Sequence, residues 1–131
     1  MTRSNRTARQ AGAGFEQAVA GYLSWALDDG RIERRRTNGA KDRGDITGVM
    51  LDGQRVVLEC KDVSNVSVAE YLDEAETEAG NDGALFWMKI QKRRGVGLGD
   101  HEHVGRQLVV MTLEQLALIL NHGLPLGPEE E

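Results

Sequence analysis

The segment 44–61 reads GDITGVMLDGQRVVLECK, and it contains the features that decide how the chain folds. The dipeptide Asp52-Gly53 stands between two apolar runs, which is a strong signal for a tight turn between antiparallel strands. We therefore expect neighbouring strands over residues 45–51 and 54–61. The turn brings the start of the first strand close to the end of the second.

Charged side chains stand at the two ends of this hairpin. Asp45 opens the first strand, and Glu59 and Lys61 close the second. Because alternate side chains of a strand share a face, Glu59 and Lys61 point to one side, and Cys60 points to the other as a small buried hydrophobe. Two carboxylates and an ammonium group are therefore expected to converge at one end of the sheet.

This combination of groups favours a particular chemistry. Two neighbouring carboxylates repel each other, and a divalent cation such as Mg²⁺ or Mn²⁺ removes that repulsion. A lysine beside the metal can hold an attacking water or help to deprotonate it, and the whole set favours hydrolysis of a phosphodiester. The alternative interpretation is a surface salt-bridge cluster, which contributes little to stability.

Apolar periodicity and turn residues divide the rest of the chain into further elements. Helices are expected over 14–28, 67–79 and 112–122, strands over 31–36, 84–90 and 107–111, and irregular structure over 91–105. In the last helix, Thr112 is the expected N-cap, and one apolar face is formed by Leu113, Leu116 and Leu120. The order αβββαβ plus a C-terminal strand and helix predicts an α/β protein with a central mixed β-sheet flanked by helices.

The chain has 131 residues and a mass of 14.4 kDa, which fits one small domain. We expect a flexible basic arm over 1–11, the folded domain over 12–122 and an acidic tail over 123–131. One cysteine excludes an intramolecular disulfide, and neither a membrane span nor a secretory signal is visible. A cytoplasmic protein without membrane contact is the expectation.

The formal net charge of −5 argues against a nucleic-acid partner, but the charges are unevenly distributed. Residues 1–43 contain nine basic and five acidic side chains, and residues 89–106 contain five and two. Residues 62–82 contain seven acidic side chains and no basic one. We expect the basic segments to face DNA phosphates, and the acidic helix to lie away from the cleft or against a partner subunit. The alternative for each run is a solvated face.

Gly44-Asp45, followed fourteen positions later by Glu59-Cys60-Lys61, resembles the signature of the PD-(D/E)xK nuclease superfamily. Gly44 stands in place of the proline of the family name. The resemblance covers about three-fifths of the chain, residues 14–90. It implies a restriction-endonuclease-like core.

Within that superfamily, the chain is similar to small archaeal-type and phage Holliday junction resolvases. Glu16 stands in a G-x-x-F-E context, and the arginine run 34–36 precedes a polar loop in which Thr37 or Asn38 replaces the usual serine. The resemblance implies a metal-dependent, structure-selective endonuclease that resolves four-way DNA junctions. Such an enzyme is expected to be a C2 homodimer, in a host cytoplasm if the chain is phage-encoded.

The same resemblance implies roles for individual residues. Mg²⁺, with Mn²⁺ as a substitute, would be held by Asp45, Glu59, the backbone carbonyl of Cys60 and Glu16. Lys61 would position or activate the water, which completes a catalytic set with Glu16, Asp45 and Glu59. The residues expected to contact DNA are Arg34, Arg35, Arg36, Thr37, Asn38, Lys41, Arg43, Lys89, Lys92, Arg93 and Arg94.

Two other functions stay open at this point. One is a different nuclease of the superfamily, such as a flap nuclease, an exonuclease or a restriction-like enzyme. The other is a non-catalytic DNA-binding module with a vestigial site. His101 and His103 flank Glu102, but a zinc site would need a third ligand of matching spacing, so solvent exposure or DNA contact is favoured for them.

Overall fold

The computed structural model describes residues 5–35, 45–62 and 68–129, and the elements follow the predicted order with two additions. The helices are α1 (Asn5–Ala26), α2 (Val68–Asp82), α3 (His101–Val104) and α4 (Leu113–Leu120). The strands are β1 (Glu33–Arg34), β2 (Ile46–Thr47), β3 (Met50–Leu51), β4 (Gln54–Lys61), β5 (Phe86–Gln91) and β6 (Leu108–Val110). Within the described ranges, no helix combines the length and the apolar character needed to cross a bilayer.

Four strands form the main sheet in the order β3-β4-β5-β6. β4 and β5 are parallel, whereas β3 with β4 and β5 with β6 are antiparallel. Helix α2 makes the crossover that a parallel pair requires, and β1 and β2 form a separate two-stranded ribbon. The predicted α/β class, with a mixed sheet flanked by helices, is confirmed.

The hairpin turn at Asp52-Gly53 is present, with positive φ angles of 49° and 77° that suit a tight turn between twisted strands. The strand predicted over 45–51 is interrupted, because the chain turns at Gly48 with a φ of 90°. A Cβ at Gly48 would lie 2.4 Å from the Arg31 carbonyl oxygen. The close approach of these two backbones requires glycine and splits the predicted strand into β2 and β3.

Strand β4 separates two apolar clusters because its side chains alternate between the faces of the sheet. Leu58 and Cys60 face the cluster that contains Phe15 of α1. Val57 faces a smaller cluster that includes Trp87 and the alanines of α2. Glu59 and Lys61 follow Val57 on this second face, so the alternation directs both toward helix α2.

Two segments are more regular than the sequence predicted. Helix α1 begins at Asn5, nine residues before the predicted start at residue 14, because Ala, Arg and Gln in residues 5–11 are good helix formers. Helix α3 lies within the glycine-rich stretch expected to be irregular. Asp100 caps it by accepting a hydrogen bond from the His103 N–H at 2.8 Å.

Helix α4 is capped by Thr112 as predicted, but the face it buries differs from the expected one. Gln115 is 2% exposed, and its side chain accepts a hydrogen bond from the Trp87 N–H at 2.9 Å and donates one to the Leu85 carbonyl. These bonds turn the predicted apolar face outward. We call the result the leucine surface, formed by the exposed side chains of Leu113, Leu116, Leu120, Leu124 and Leu126.

Candidate active site

Asp45 is fixed against strand β4 by two hydrogen bonds. Its backbone N–H donates to the Leu58 carbonyl oxygen at 2.9 Å. Its Oδ2 accepts a bond from the Cys60 N–H at 2.7 Å. The carboxyl group therefore lies beside the part of β4 that carries Glu59 and Lys61, where the hairpin register predicts it.

Burial and neighbouring charge together change the acidity of Asp45. Burial, and then the Glu59 carboxylate, raise the pKa of Asp45 from 3.8 to about 8. Glu16 contributes in the same direction, whereas the Cys60 N–H and Lys61 favour the ionised form. The four side chains expected to form the catalytic set therefore lie within electrostatic reach of one another.

The Lys61 ammonium group bridges two carboxylates. Its Nζ lies 3.0 Å from Glu59 Oε1 and 3.1 Å from Glu74 Oε2 on helix α2. Burial alone would lower the pKa of Lys61, but these two carboxylates outweigh it and raise the pKa above its ordinary value. Lys61 is therefore positively charged at neutral pH.

Glu59 is 5% exposed and shares a hydrogen bond with the carboxyl group of Glu78 on α2. Burial, and then Glu78, raise the pKa of Glu59 from 4.5 to about 8, against the effect of Lys61. Among the described residues, the Glu59 Oε2 atom has no hydrogen-bond partner. Two facing carboxyl groups of this kind share a proton unless a cation replaces it.

Glu74 and Glu78 were missed by the sequence reasoning, which expected the acidic helix to lie away from the cleft. That expectation is wrong for these two residues, which contact Lys61 and Glu59. A signal was available in the sequence, because each glutamate directly precedes one of the buried alanines Ala75 and Ala79. Residues four apart share a helix face, so both carboxyls reach the same side.

Glu16 approaches the site from helix α1, and its position is set by an arginine. The Arg34 Nε donates to Glu16 Oε2 at 2.7 Å, which links α1 to β1. Arg34 was predicted to contact DNA, but in this structure its guanidinium group holds a carboxylate of the site. Neighbouring Arg35 lines a separate cleft beside the ribbon.

Lys89 occupies a different place from the one expected for a DNA contact. It pairs in register with Glu59 across the parallel strands and is 1% exposed. Burial, and then the charge of Lys61, lower the pKa of Lys89. Lys89 therefore lies in the sheet next to Glu59, and its contact with DNA stays a prediction.

The remaining predicted DNA contacts divide into two sets. Lys92 donates to the carbonyl oxygens of Arg93 and Val96, and Arg93 and Arg94 are exposed in the same loop. Five other predicted contacts lie outside the described residues: Arg36, Thr37, Asn38, Lys41 and Arg43.

The two histidines of helix α3 make contacts other than with a metal. His101 stacks on Trp25 with ring centroids 4.0 Å apart, and His103 bonds to Asp100. In the part of the chain that the structure describes, no group of three or more acidic, histidine or cysteine side chains is arranged to hold a metal ion.

A magnesium ion requires fewer protein ligands than such a group would provide. Mg²⁺ keeps several waters and is usually bound through one or two carboxylates together with substrate phosphates. Asp45 and Glu59 supply two buried carboxyls of raised pKa, and the Glu59 Oε2 lacks a hydrogen-bond donor in the described residues. The donors present therefore fit a hard divalent cation that shares its coordination with water and substrate.

Comparisons of the chain with protein-family models, with curated proteins and with solved structures gave no match.

Proposed function

We propose that the protein is a divalent-metal-dependent DNA endonuclease with a restriction-endonuclease-like core. The observation that carries this proposal is the buried cluster of Asp45, Glu59 and Lys61, with Glu16 close by. Burying two carboxyls of raised pKa lowers the stability of the fold at neutral pH, so a purely structural role does not explain them. Groups with such perturbed pKa values concentrate at functional sites. The resemblance of the segment 44–61 to the nuclease signature supports the same conclusion.

The residues of the cluster have separable roles in this proposal. Asp45 and Glu59, with the Cys60 carbonyl and Glu16, would hold Mg²⁺ or Mn²⁺. When bound, such an ion lowers the pKa of a water and offsets charge on the phosphoryl group. As a ligand of such an ion, Glu59 would have to be ionised, because a carboxyl group binds a metal in its deprotonated form.

Lys61 acts as a donor in this scheme rather than as a general base. Its ammonium group stays protonated because Glu59 and Glu74 hold it and raise its pKa. Lys61 therefore donates a hydrogen bond to the attacking water and orients it. Glu74 is a positioning residue, since it contacts Lys61 and not the reacting atoms.

The substrate we propose is branched DNA, with the four-way junction as its simplest form, cut in opposed strands by a C2 homodimer in the cytoplasm. Two symmetric cuts call for two symmetric sites. The leucine surface supports the dimer, since its side chains are 40% to 80% exposed in the single chain. Strand β6 is also an edge of the main sheet.

A cleavage assay tests the proposed activity. Wild type, Asp45→Asn, Glu59→Gln and the control Glu76→Gln are incubated with four-way junction, flap, single-stranded and linear duplex DNA, in Mg²⁺ or in EDTA. Glu76 is the matched control because it is an exposed carboxylate of the same helix that carries Glu74. We expect paired nicks at the junction from wild type and Glu76→Gln in Mg²⁺, and none in EDTA.

The two site variants should keep the fold and lose cleavage by at least about 100-fold. Flap cutting or degradation from ends would identify another nuclease of the same superfamily. DNA binding without cleavage in any metal would identify a non-catalytic module. Cleavage at the wild-type rate by Asp45→Asn or Glu59→Gln would overturn the site.

A further inference from the structure

A second polar feature lies beside the β1–β2 ribbon. It is a cleft of about 470 Å³ between β2, β3 and the start of β4. Three arginines line it, Arg31, Arg35 and Arg55, together with the hydroxyl-bearing Thr47. The other described lining residues are glycine or apolar, and none is acidic. Asp29 pairs with Arg31 at the rim, and no acidic side chain is among the described lining residues, so the cleft is suited to an anion.

Arg35 is one of the three arginines that line this cleft. Its Nε is buried and has no hydrogen-bond partner among the described residues. A buried donor without an acceptor is unfavourable, and native structures rarely leave one in place without a reason. A bound anion would supply the missing acceptor.

Arg31 is held in a fixed orientation at the rim of the cleft. Asp29 accepts bonds from its Nε and Nη2, each at 2.9 Å. These bonds use two of the five N–H groups of the guanidinium, and the side chain is 82% exposed. The planar fork is therefore oriented in advance, which reduces the entropy lost when it binds a ligand.

The cleft is joined to the candidate active site through the backbone. The Arg35 N–H donates to the Asp45 carbonyl oxygen at 2.8 Å, and Ile46, the next residue, lines the cleft. Bidentate recognition by arginine matches the oxygens of a phosphate. An anion in this cleft therefore lies one strand away from the carboxyls that would cut DNA.

We infer that this cleft is a phosphate-binding subsite. Its ligand in function is a backbone phosphate of the bound DNA, and this part of the inference rests on the proposed function. A free phosphate ion presents the same kind of anionic oxygens as a DNA backbone phosphate. The subsite itself can therefore be tested with inorganic phosphate and without DNA.

The first test uses inorganic phosphate and two-dimensional NMR. We expect saturable shifts of the amide signals of Thr47, Gly48 and Val49 in the wild type, and affinity about tenfold weaker in Arg35→Gln. The control Arg106→Gln also removes one positive charge, but Arg106 is exposed, pairs with Glu102 and lies outside the cleft lining. It should titrate like the wild type.

Absence of these shifts in the wild type, or equal affinity in Arg35→Gln, would overturn the subsite. Thermal unfolding of Arg35→Gln is measured in parallel. If that variant is unfolded, Arg55→Gln replaces it, since Arg55 is exposed and its side chain also lines the cleft.

The second test measures DNA affinity against salt in the Asp45→Asn background, where no strand is cut. Each lost phosphate contact should reduce the slope of log affinity against log salt by about 0.9. We expect that reduction for Arg35→Gln and not for Arg106→Gln. An unchanged slope in Arg35→Gln would overturn the assignment to DNA.

The two proposals fail in different ways. Phosphate binding that depends on Arg35 in a protein that neither binds nor cuts DNA supports the subsite and refutes the proposed function. Cleavage by the wild type without any phosphate-induced shift supports the function and refutes the subsite.

Discussion

At the scale of single residues, the site is defined by carboxyl groups whose pKa is raised by burial. Asp45 and Glu59 each have a pKa of about 8, against ordinary values of 3.8 and 4.5. A raised pKa means that the folded state binds these protons more tightly than the unfolded chain does. The contribution to stability is complete below about pH 4 and is lost as the pH rises through about 8.

We therefore expect the metal-free protein to become less stable on going from about pH 5 to about pH 9, with the midpoint of thermal unfolding lower by on the order of 5 °C. Ions of Mg²⁺ should reduce this loss, because they stabilise the ionised carboxyls. Thermal unfolding by circular dichroism in EDTA measures the effect. Asp45→Asn/Glu59→Gln is the control and should vary much less. A wild-type midpoint that is constant across this range would contradict the buried pair.

At the scale of elements, the sequence predicts most accurately those strands and helices whose bounds are set by local geometry alone. The bounds of β4 at 54–61 follow from the Asp52-Gly53 turn and were predicted without error. The interruption at Gly48 depends on the approach of a distant backbone at Arg31. The face that α4 buries depends on the bonds from Gln115 to β5. These tertiary contacts have no signature in a local window.

The candidate site divides in the same way. Asp45, Glu59 and Lys61 follow from the alternation of one hairpin, so their convergence could be predicted. Glu78 reaches Glu59 only because the crossover helix packs on that face of the sheet, and this packing follows from the fold as a whole.

The buried face of α4 gives a prediction for stability. Gln115→Leu leaves the Trp87 N–H without its acceptor and should lower the free energy of unfolding by about 2 kcal/mol. Leu113→Gln changes a side chain that is 80% exposed in the single chain, and in the Leu116→Glu/Leu120→Glu background, where the proposed dimer is disrupted, it should cost less than about 0.5 kcal/mol. Urea unfolding of both variants measures the difference. If Leu113→Gln proved the more damaging of the two, the orientation of α4 would be wrong.

At the scale of the whole molecule, the formal net charge overstates the negative charge that a partner would meet. The formal charge of −5 counts Asp45 and Glu59 as fully ionised, yet burial raises the pKa of both carboxyl groups to about 8. Glu16 and Glu74 are paired with Arg34 and Lys61. The surface that meets a partner is therefore less acidic than the sum suggests.

The leucine surface gives a prediction for assembly. We expect the wild type to have twice the chain mass of 14.4 kDa in solution, and Leu116→Glu/Leu120→Glu to have the mass of one chain, because the charges disrupt an apolar interface. Leu27→Glu is the control, since Leu27 is an exposed leucine at the end of α1, outside this surface. Light scattering measures the masses. A monomeric wild type, or a dimeric double variant, would contradict a dimer through this surface.

The position of Cys60 makes it a natural reporter of local opening. It is the one cysteine of the chain, it is 7% exposed, and it lies between Glu59 and Lys61. Burial, and then the charge of Asp45, raise the pKa of its thiol, and thiol reagents attack only an accessible thiolate. Its alkylation should therefore be slow in the native protein and should proceed through transient opening of β4. Divalent ions bound by Asp45 and Glu59 should slow this alkylation further. The labelling rate of Cys60 therefore measures how often β4, the strand on which the proposed chemistry depends, opens locally.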